Sequence, residues 1–246
     1  MIHAIIQARM GSTRLPGKVL LPLGEKTILE HVVERTRKAS SIHEVIVVTS
    51  NLPEDLAIVD LCKKKSIAVY QGSSEDVLDR YYQCAQSFGI QTICRITGDC
   101  PLVESSLIDR AAMYCKEYEY ISTAYPCATF PDGLDVEILT FNALERAWKE
   151  ARLASEREHV TPYIWKNPSL FKIFTLKSST DISKYRFTID HMRDYVFLKK
   201  IFEYVKPLSV DSIIDFLKKN PAIMEINHQI ERNEGYEKSL INDHEI

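Results

Sequence analysis

Four short apolar runs, separated by amphipathic stretches, constrain this chain more than anything else in it. Ile2–Ile6, Val45–Thr49, Ile67–Tyr70 and Thr92–Ile96 have the length of strands. Between them, Ile28–Ala39, Glu54–Lys64 and Asp76–Phe88 carry apolar residues at helical spacing. Strands alternating with helices through short connections point to parallel βαβ units. The runs are continuously apolar rather than alternating, as expected of strands covered on both faces. The expected fold is therefore α/β and Rossmann-like, a mostly parallel central sheet flanked by helices.

Past about residue 118 the rhythm loosens. Tyr120–Ala124, Leu134–Leu139 and Phe171–Leu176 read as strands, Phe141–Ala151 and Arg157–Trp165 as helices, and the chain from Met192 onward as two or three helices ending in a charged tail. There is no repeat, low-complexity stretch or flexible linker, so a single domain is expected over 1–246, with a first half (about 1–118) and a second (about 119–246). The net charge of -3 gives no general attraction to nucleic acid. No apolar run approaches the ~18 residues of a membrane span, and the start does not resemble a signal peptide, so no membrane partner and a cytoplasmic location are expected. Six cysteines without a CxxC pair suggest reduced, mostly buried thiols rather than a disulfide framework or zinc site.

Ligands of open α/β sheets bind beyond the carboxyl ends of the strands, so the polar segments there carry the chemistry. The first runs from Gln7 and Ala8 to Lys18. Gly11 and Gly17 let backbone N–H groups converge on an anion, and Arg9, Arg14 and Lys18 add exposed positive charge. It is not a Walker loop, because Val19 follows the lysine. The second, Thr97-Gly98-Asp99, puts a carboxylate at the ligand edge, where it suits Mg²⁺ or caps the next helix. Asp135 and Glu137, two apart on a predicted strand, share a face that is either a pocket wall or solvated. Asp190 ends another short run as a second carboxylate or as a helix cap. His159 stands in a dense polar cluster, suited to substrate contact, proton transfer or a structural hydrogen bond.

Together these segments resemble the cytidylyltransferase superfamily that activates acidic sugars, and most closely its SpsF-like branch, named after a spore-coat polysaccharide biosynthesis protein. The resemblance lies in IIQARMGSTRLPGKVLLPL (5–23), GSSEDVLDRYY (72–82), RITGDCPLV (95–103), GLDVEI (133–138), EREHVTPYI (156–164) and NHQIERNEGYEKSL (227–240). It implies a GT-A nucleotidyltransferase fold with a C-terminal helical segment, a nucleotide-binding first half and an acceptor-binding second half. It also implies transfer of CMP from CTP to an acidic sugar or similar small acceptor in surface glycan biosynthesis, with release of pyrophosphate.

By the same resemblance Arg9, Lys18 and Asp99 are the catalytic residues. Gln7, Ala8, Gly11, Ser12, Arg14, Thr97 and Gly98 join Arg9 and Lys18 around the nucleotide, while Gly72, Ser73, Ser74, Asp79 and Arg80 lie where the family reads the base. Asp135, Glu137, Arg157, His159 and Arg186 fall where an acceptor sits, and Asp99 with Asp190 holds Mg²⁺. A homodimer is compatible with this reading. A GT-A glycosyltransferase using a nucleotide sugar is the main alternative, although it would usually show Asp-x-Asp after a strand. A non-catalytic nucleotide-binding protein of a polysaccharide pathway is the other.

Overall fold

A computed structural model describes residues 1–246. In the first half, β1 (Ile2–Gln7) leads through a long loop to a two-stranded ribbon, β2 (Pro22–Leu23) and β3 (Lys26–Thr27), and to helix α1 (Ile28–Arg37). Then come β4 (Ile42–Ser50), α2 (Leu56–Lys64), β5 (Ala68–Gly72), α3 (Val77–Ser87), β6 (Thr92–Thr97) and α4 (Ser105–Ala112). The second half adds β7 (Tyr120–Ser122), β8 (Glu137–Thr140), α5 (Phe141–Glu150), α6 (Ala154–His159), α7 (Pro162–Lys166) and β9 (Ile173–Thr175). Four helices follow: α8 (Met192–Tyr204), α9 (Val210–Lys219), α10 (Pro221–Met224) and α11 (Glu234–Ile241).

One seven-stranded sheet has the order β5-β4-β1-β6-β8-β7-β9. β5, β4, β1 and β6 are parallel, while β8 enters antiparallel to both β6 and β7. Successive β1 side chains supply both faces: Ala4 and Ile6 pack into one apolar cluster and Ile5 into the other. β4 divides in the same way, Val45 and Val47 against Ile46 and Val48. Fully burying one such Val or Ile contributes roughly 1.5–3 kcal/mol, which is why continuous apolar runs mark these strands. Helix starts are fixed locally. The Thr27 hydroxyl accepts from Glu30 N (3.2 Å), and the Glu30 carboxylate accepts from Thr27 N (2.8 Å), a reciprocal cap for α1.

Three expectations need correction. The helix predicted over Arg157–Trp165 is two, α6 and α7, because Val160 turns to φ 72° and Pro162, lacking an N–H, starts a new helix. The C-terminal part holds four helices instead of two or three. The strand predicted from Leu134 starts only at Glu137, so Asp135 precedes it and the shared-face relation fails.

Two glycines bring the future site together. Gly98 N donates to Gln7 O at 2.8 Å, and a Cβ there would lie 2.8 Å from the same oxygen, so only glycine lets the chain leave β6 so close to β1. Gly133, at φ +96°, crosses the 187–188 backbone, where a Cβ would stand 2.4 Å from Thr188 N. That crossing sets the strand-like segment before α8 beside the end of β6, and Ile189 N donates to Asp99 O (3.0 Å).

Candidate active site

The loop after β1 is pinned from below. Met10 N donates to Asp55 Oδ1 (2.6 Å), and the buried Asp55 carboxylate also accepts from Ser50 N (3.1 Å). The loop then curls around the Met10 carbonyl, which accepts from Ser12 N and Gly17 N, both at 2.9 Å. The backbone N–H groups of Gly11, Thr13 and Arg14 have no partner within the chain. Thr13 and Arg14, with Gln7, Ala8, Arg9 and Ser12, border a cleft of about 170 Å³ at the carboxyl ends of β1 and β6. Thr97, Gly98 and Asp99 form its floor, and Arg80, Glu158, His159 and Asp190 close its sides.

At the base of the cleft one ammonium joins two distant carboxylates. Lys18 Nζ donates to Asp99 Oδ2 (2.6 Å), Asp190 Oδ1 (2.9 Å) and the Ile189 carbonyl (2.7 Å). The expectation of an exposed Lys18 is therefore corrected: it is 8% exposed. Burial alone would lower its pKa, but the Asp99 and Asp190 charges hold it above the usual lysine range. Asp190 also accepts from Arg14 (2.6 Å) and Arg186 (2.8 Å). Burial acts to raise its pKa, and these cations outweigh that, holding it well below the usual carboxylate range. Neither acid caps a helix. The start of α8 is capped by Asp194, which accepts from the backbone N of Asp190 and His191 (3.0 and 2.9 Å). Asp99 and Asp190 thus present hard oxygen donors to a single cation. Nowhere do three or more His, Cys, Asp or Glu side chains gather as a metal site.

The remaining predicted residues divide. Arg80 folds back on the end of β5, donating through Nε to Ser73 O (2.8 Å) and through Nη2 to Ser74 O (3.3 Å), and Gly72 leaves room for its stem. Asp79 faces away, accepting from Trp148 Nε1 (2.9 Å) in a separate hollow that Arg157 shares by pairing with Asp76. Both are corrected as cleft residues, because their charges are satisfied on the outer side of α3. Glu137 is corrected likewise. It is 1% exposed and accepts from Arg95, Tyr120 and Thr161, a buried brace and not a pocket wall. Asp135 pairs with Arg232, and Arg186 is enclosed by Asp132, Asp190 and Asp194, so neither offers a free charge to an acceptor. Of the five predicted acceptor residues, His159 lines the cleft.

The sequence profile of the cytidylyltransferase family matches residues 3–234 of this chain. The chain belongs to the cytidylyltransferase family. It is 34% identical to the spore coat polysaccharide biosynthesis protein SpsF of Bacillus subtilis, over 88% of this chain and 94% of that one. An uncharacterized protein of Methanocaldococcus jannaschii is 43% identical over 96% of this chain and 97% of its own. A solved cytidylyltransferase structure from Leptospira borgpetersenii superposes with a TM-score of 0.86 at 38% identity, covering 91% of this chain and 96% of that one. The SpsF-like resemblance and the GT-A nucleotidyltransferase fold read from the sequence both hold, and the protein is a nucleotidyltransferase.

Around this cleft stand several residues that the sequence alone does not single out. Asp55 pins the loop, Glu158 faces Arg9 at 3.6 Å, and Asp194 braces Arg186. From α11, Glu234 accepts from Arg14 (3.2 Å), and Ser239 contacts His159 Nε2 (2.9 Å) and Glu158 (2.8 Å). Glu234 and Ser239 lie in the segment 227–240 that carries part of the family resemblance.

Proposed function

We propose that this cytidylyltransferase moves CMP from CTP onto a small acidic, sugar-like acceptor in surface glycan biosynthesis, in the cytosol and with Mg²⁺. The observation that carries the reading is one cleft with cations and unpaired amides on one wall and two converging carboxylates at its base. Arg9, Arg14 and the free N–H groups of the loop suit the oxygens of a triphosphate. Arg80 spends Nε and Nη2 on backbone carbonyls and leaves Nη1 without a protein partner, a donor suited to a pyrimidine edge. Asp99 and Asp190, already satisfied by a cation, match the one or two carboxylates by which Mg²⁺ is usually held beside phosphates and waters. When bound there, Mg²⁺ supplies charge neutralisation to the phosphates.

The protein's own part is positioning and neutralisation. An acceptor oxygen attacks the α-phosphorus in line, and the bond to the β-phosphate oxygen breaks. A pyrophosphate-release assay with CTP, Mg²⁺ and a panel of acidic sugars and phosphonates tests the reading. Release with one acceptor class supports it. CTP binding without release from any acceptor, or transfer from a nucleotide sugar instead, overturns it. No helix is long and apolar enough to cross a membrane.

A further inference from the structure

His159 ends α6, and its ring lines the cleft opposite the phosphate loop. Its Nε2 lies 2.9 Å from Ser239 Oγ on α11, and Tyr236 of the same helix meets the ring edge-to-face at 5.1 Å. The Ser239 oxygen has two further neighbours, Glu158 Oε2 at 2.8 Å and the Gly235 carbonyl at 3.0 Å. Both can only accept. A hydroxyl has one proton to donate, and the carboxylate or the carbonyl takes it. The third neighbour, the imidazole, must therefore be the donor, so Nε2 carries the ring proton. Nδ1 is then a bare lone pair, and it bonds to nothing in the chain.

We infer that Glu158, Ser239 and His159 form a relay that fixes the Nε2–H tautomer and leaves Nδ1 to take the proton from the attacking hydroxyl of the acceptor. The inference rests on the cytidylyl-transfer reading and narrows it, since it requires a nucleophile that carries a proton, a sugar hydroxyl rather than a carboxylate or phosphonate. In the step, the acceptor O–H proton passes to Nδ1 as the oxygen bonds to the α-phosphorus. The bond from that phosphorus to the β-phosphate oxygen breaks, and its electron pair leaves with pyrophosphate. The imidazolium so formed faces Glu158, whose Oε2 is 3.8 Å from Nε2 and which is linked to it through Ser239; loss of the proton to water resets the ring.

The charged groups around the ring come from four elements. Glu158 on α6 and Glu137 on β8 favour protonation, whereas Arg95 on β6 and Arg9 on the loop oppose it. Burial is the largest influence and brings the His159 pKa down to about 4, so the resting ring is neutral and able to accept a proton. Ser239 acts through His159 and is a positioning residue.

Two measurements test the relay. Long-range ¹H–¹⁵N spectra of the free protein, with the His159 signals assigned by their loss in His159→Gln, report the tautomer directly. The Nε2–H form is expected in the parent and a mixture in Ser239→Ala; an Nδ1–H form in the parent overturns the proposal whatever the enzyme does. In kinetics, His159→Gln should lower kcat by about 10²-fold or more, remove the acidic limb of the kcat–pH profile and leave the CTP Kd within about twofold. Ser239→Ala should lower kcat by about tenfold and displace that limb, and Ser239→Thr, which keeps the hydroxyl, should restore it. An active parent whose His159→Gln variant keeps its rate or its acidic limb overturns the base alone. A parent that releases no pyrophosphate from CTP with any hydroxyl acceptor overturns the transfer reading together with the base.

Discussion

The arginines of the two halves share a charge and almost nothing else. In the loop after β1, Arg9 is half exposed beside unpaired backbone amides, its nearest acid Glu158 at 3.6 Å. In the second half and on β6, Arg186 is 6% exposed against three carboxylates, Arg95 is bound to Glu137, and Arg232 to Asp135. The first kind of cation is left for a ligand, whereas the second is consumed in holding loops together. Arg186 is the clearest case of the second, since it ties together Asp132 at the Gly133 crossing, Asp190 at the cleft base and Asp194 at the start of α8. Lys18 and Arg14 stand between the two kinds, facing the cleft yet already paired.

Substitutions that treat the two kinds alike would break this distinction. The largest effect is expected from Arg186→Met, which leaves the buried carboxylates of Asp132 and Asp194 without their cation. A loss of about 3–5 kcal/mol in unfolding free energy is expected by urea titration. A variant as stable as the parent would mean that Arg186 is no brace. Next comes Asp99→Asn, with turnover reduced by about 10²–10³-fold at saturating CTP while the melting temperature stays near the parent's. Near-normal turnover in a folded protein would remove Asp99 from the chemistry.

The intermediate pair sharpens the comparison. Arg14→Ala should lower kcat/KM for CTP by at least about tenfold, since a lost charge-assisted phosphate contact is worth roughly 1.5–3 kcal/mol. Lys18→Ala should do the same and also lower the melting temperature, because Asp99 and Asp190 would then face each other without their ammonium. Added Mg²⁺ should recover part of that stability, and a melting temperature indifferent to both changes would contradict the pairing seen at the base of the cleft.

The smallest effect is a pH dependence. Folding holds His159 near a pKa of about 4, below the ~6.5 of an unfolded histidine. As pH falls from about 6.5 to 4 the unfolded chain takes up a proton that the folded one refuses, so stability declines across that window and levels off beneath it. His3 and His31, also lowered by burial, act in the same direction. The test is therefore the difference between parent and His159→Gln, whose stability should slope less between pH 6.5 and 4. Parallel slopes would show that the ring is not desolvated.

What could be read from the sequence follows from what local pattern encodes. Buried strands announce themselves by apolar runs, and the loop from Gln7 to Lys18 by its glycines and cations, so the parallel half of the sheet and the cation-rich loop beside the cleft were legible. An apolar run carries no direction, and nothing in Leu134–Leu139 shows that its strand runs antiparallel or starts only at Glu137. Charge pairing is set by tertiary placement. Asp79, Glu137 and Arg157 look as available in the sequence as Arg9 does, yet each is satisfied by a partner from a distant segment. Glu158 at the cleft, and Glu234 and Ser239 behind its Arg14 and His159, come from helices, where polar side chains are ordinary and give no signal of their own.

Asp55, which does not line the cleft, has a calorimetric consequence. By holding Met10 and Ser50 from beneath, it fixes the curl of the loop before any nucleotide arrives. Nucleotide association then need not freeze a mobile segment, so little of its enthalpy should be cancelled by lost chain entropy, and its heat-capacity change should reflect only the surface covered by the ligand. Replacing Asp55 by alanine would move that ordering penalty from folding to binding, changing the balance of heat and entropy at the cleft without altering a single group that faces it.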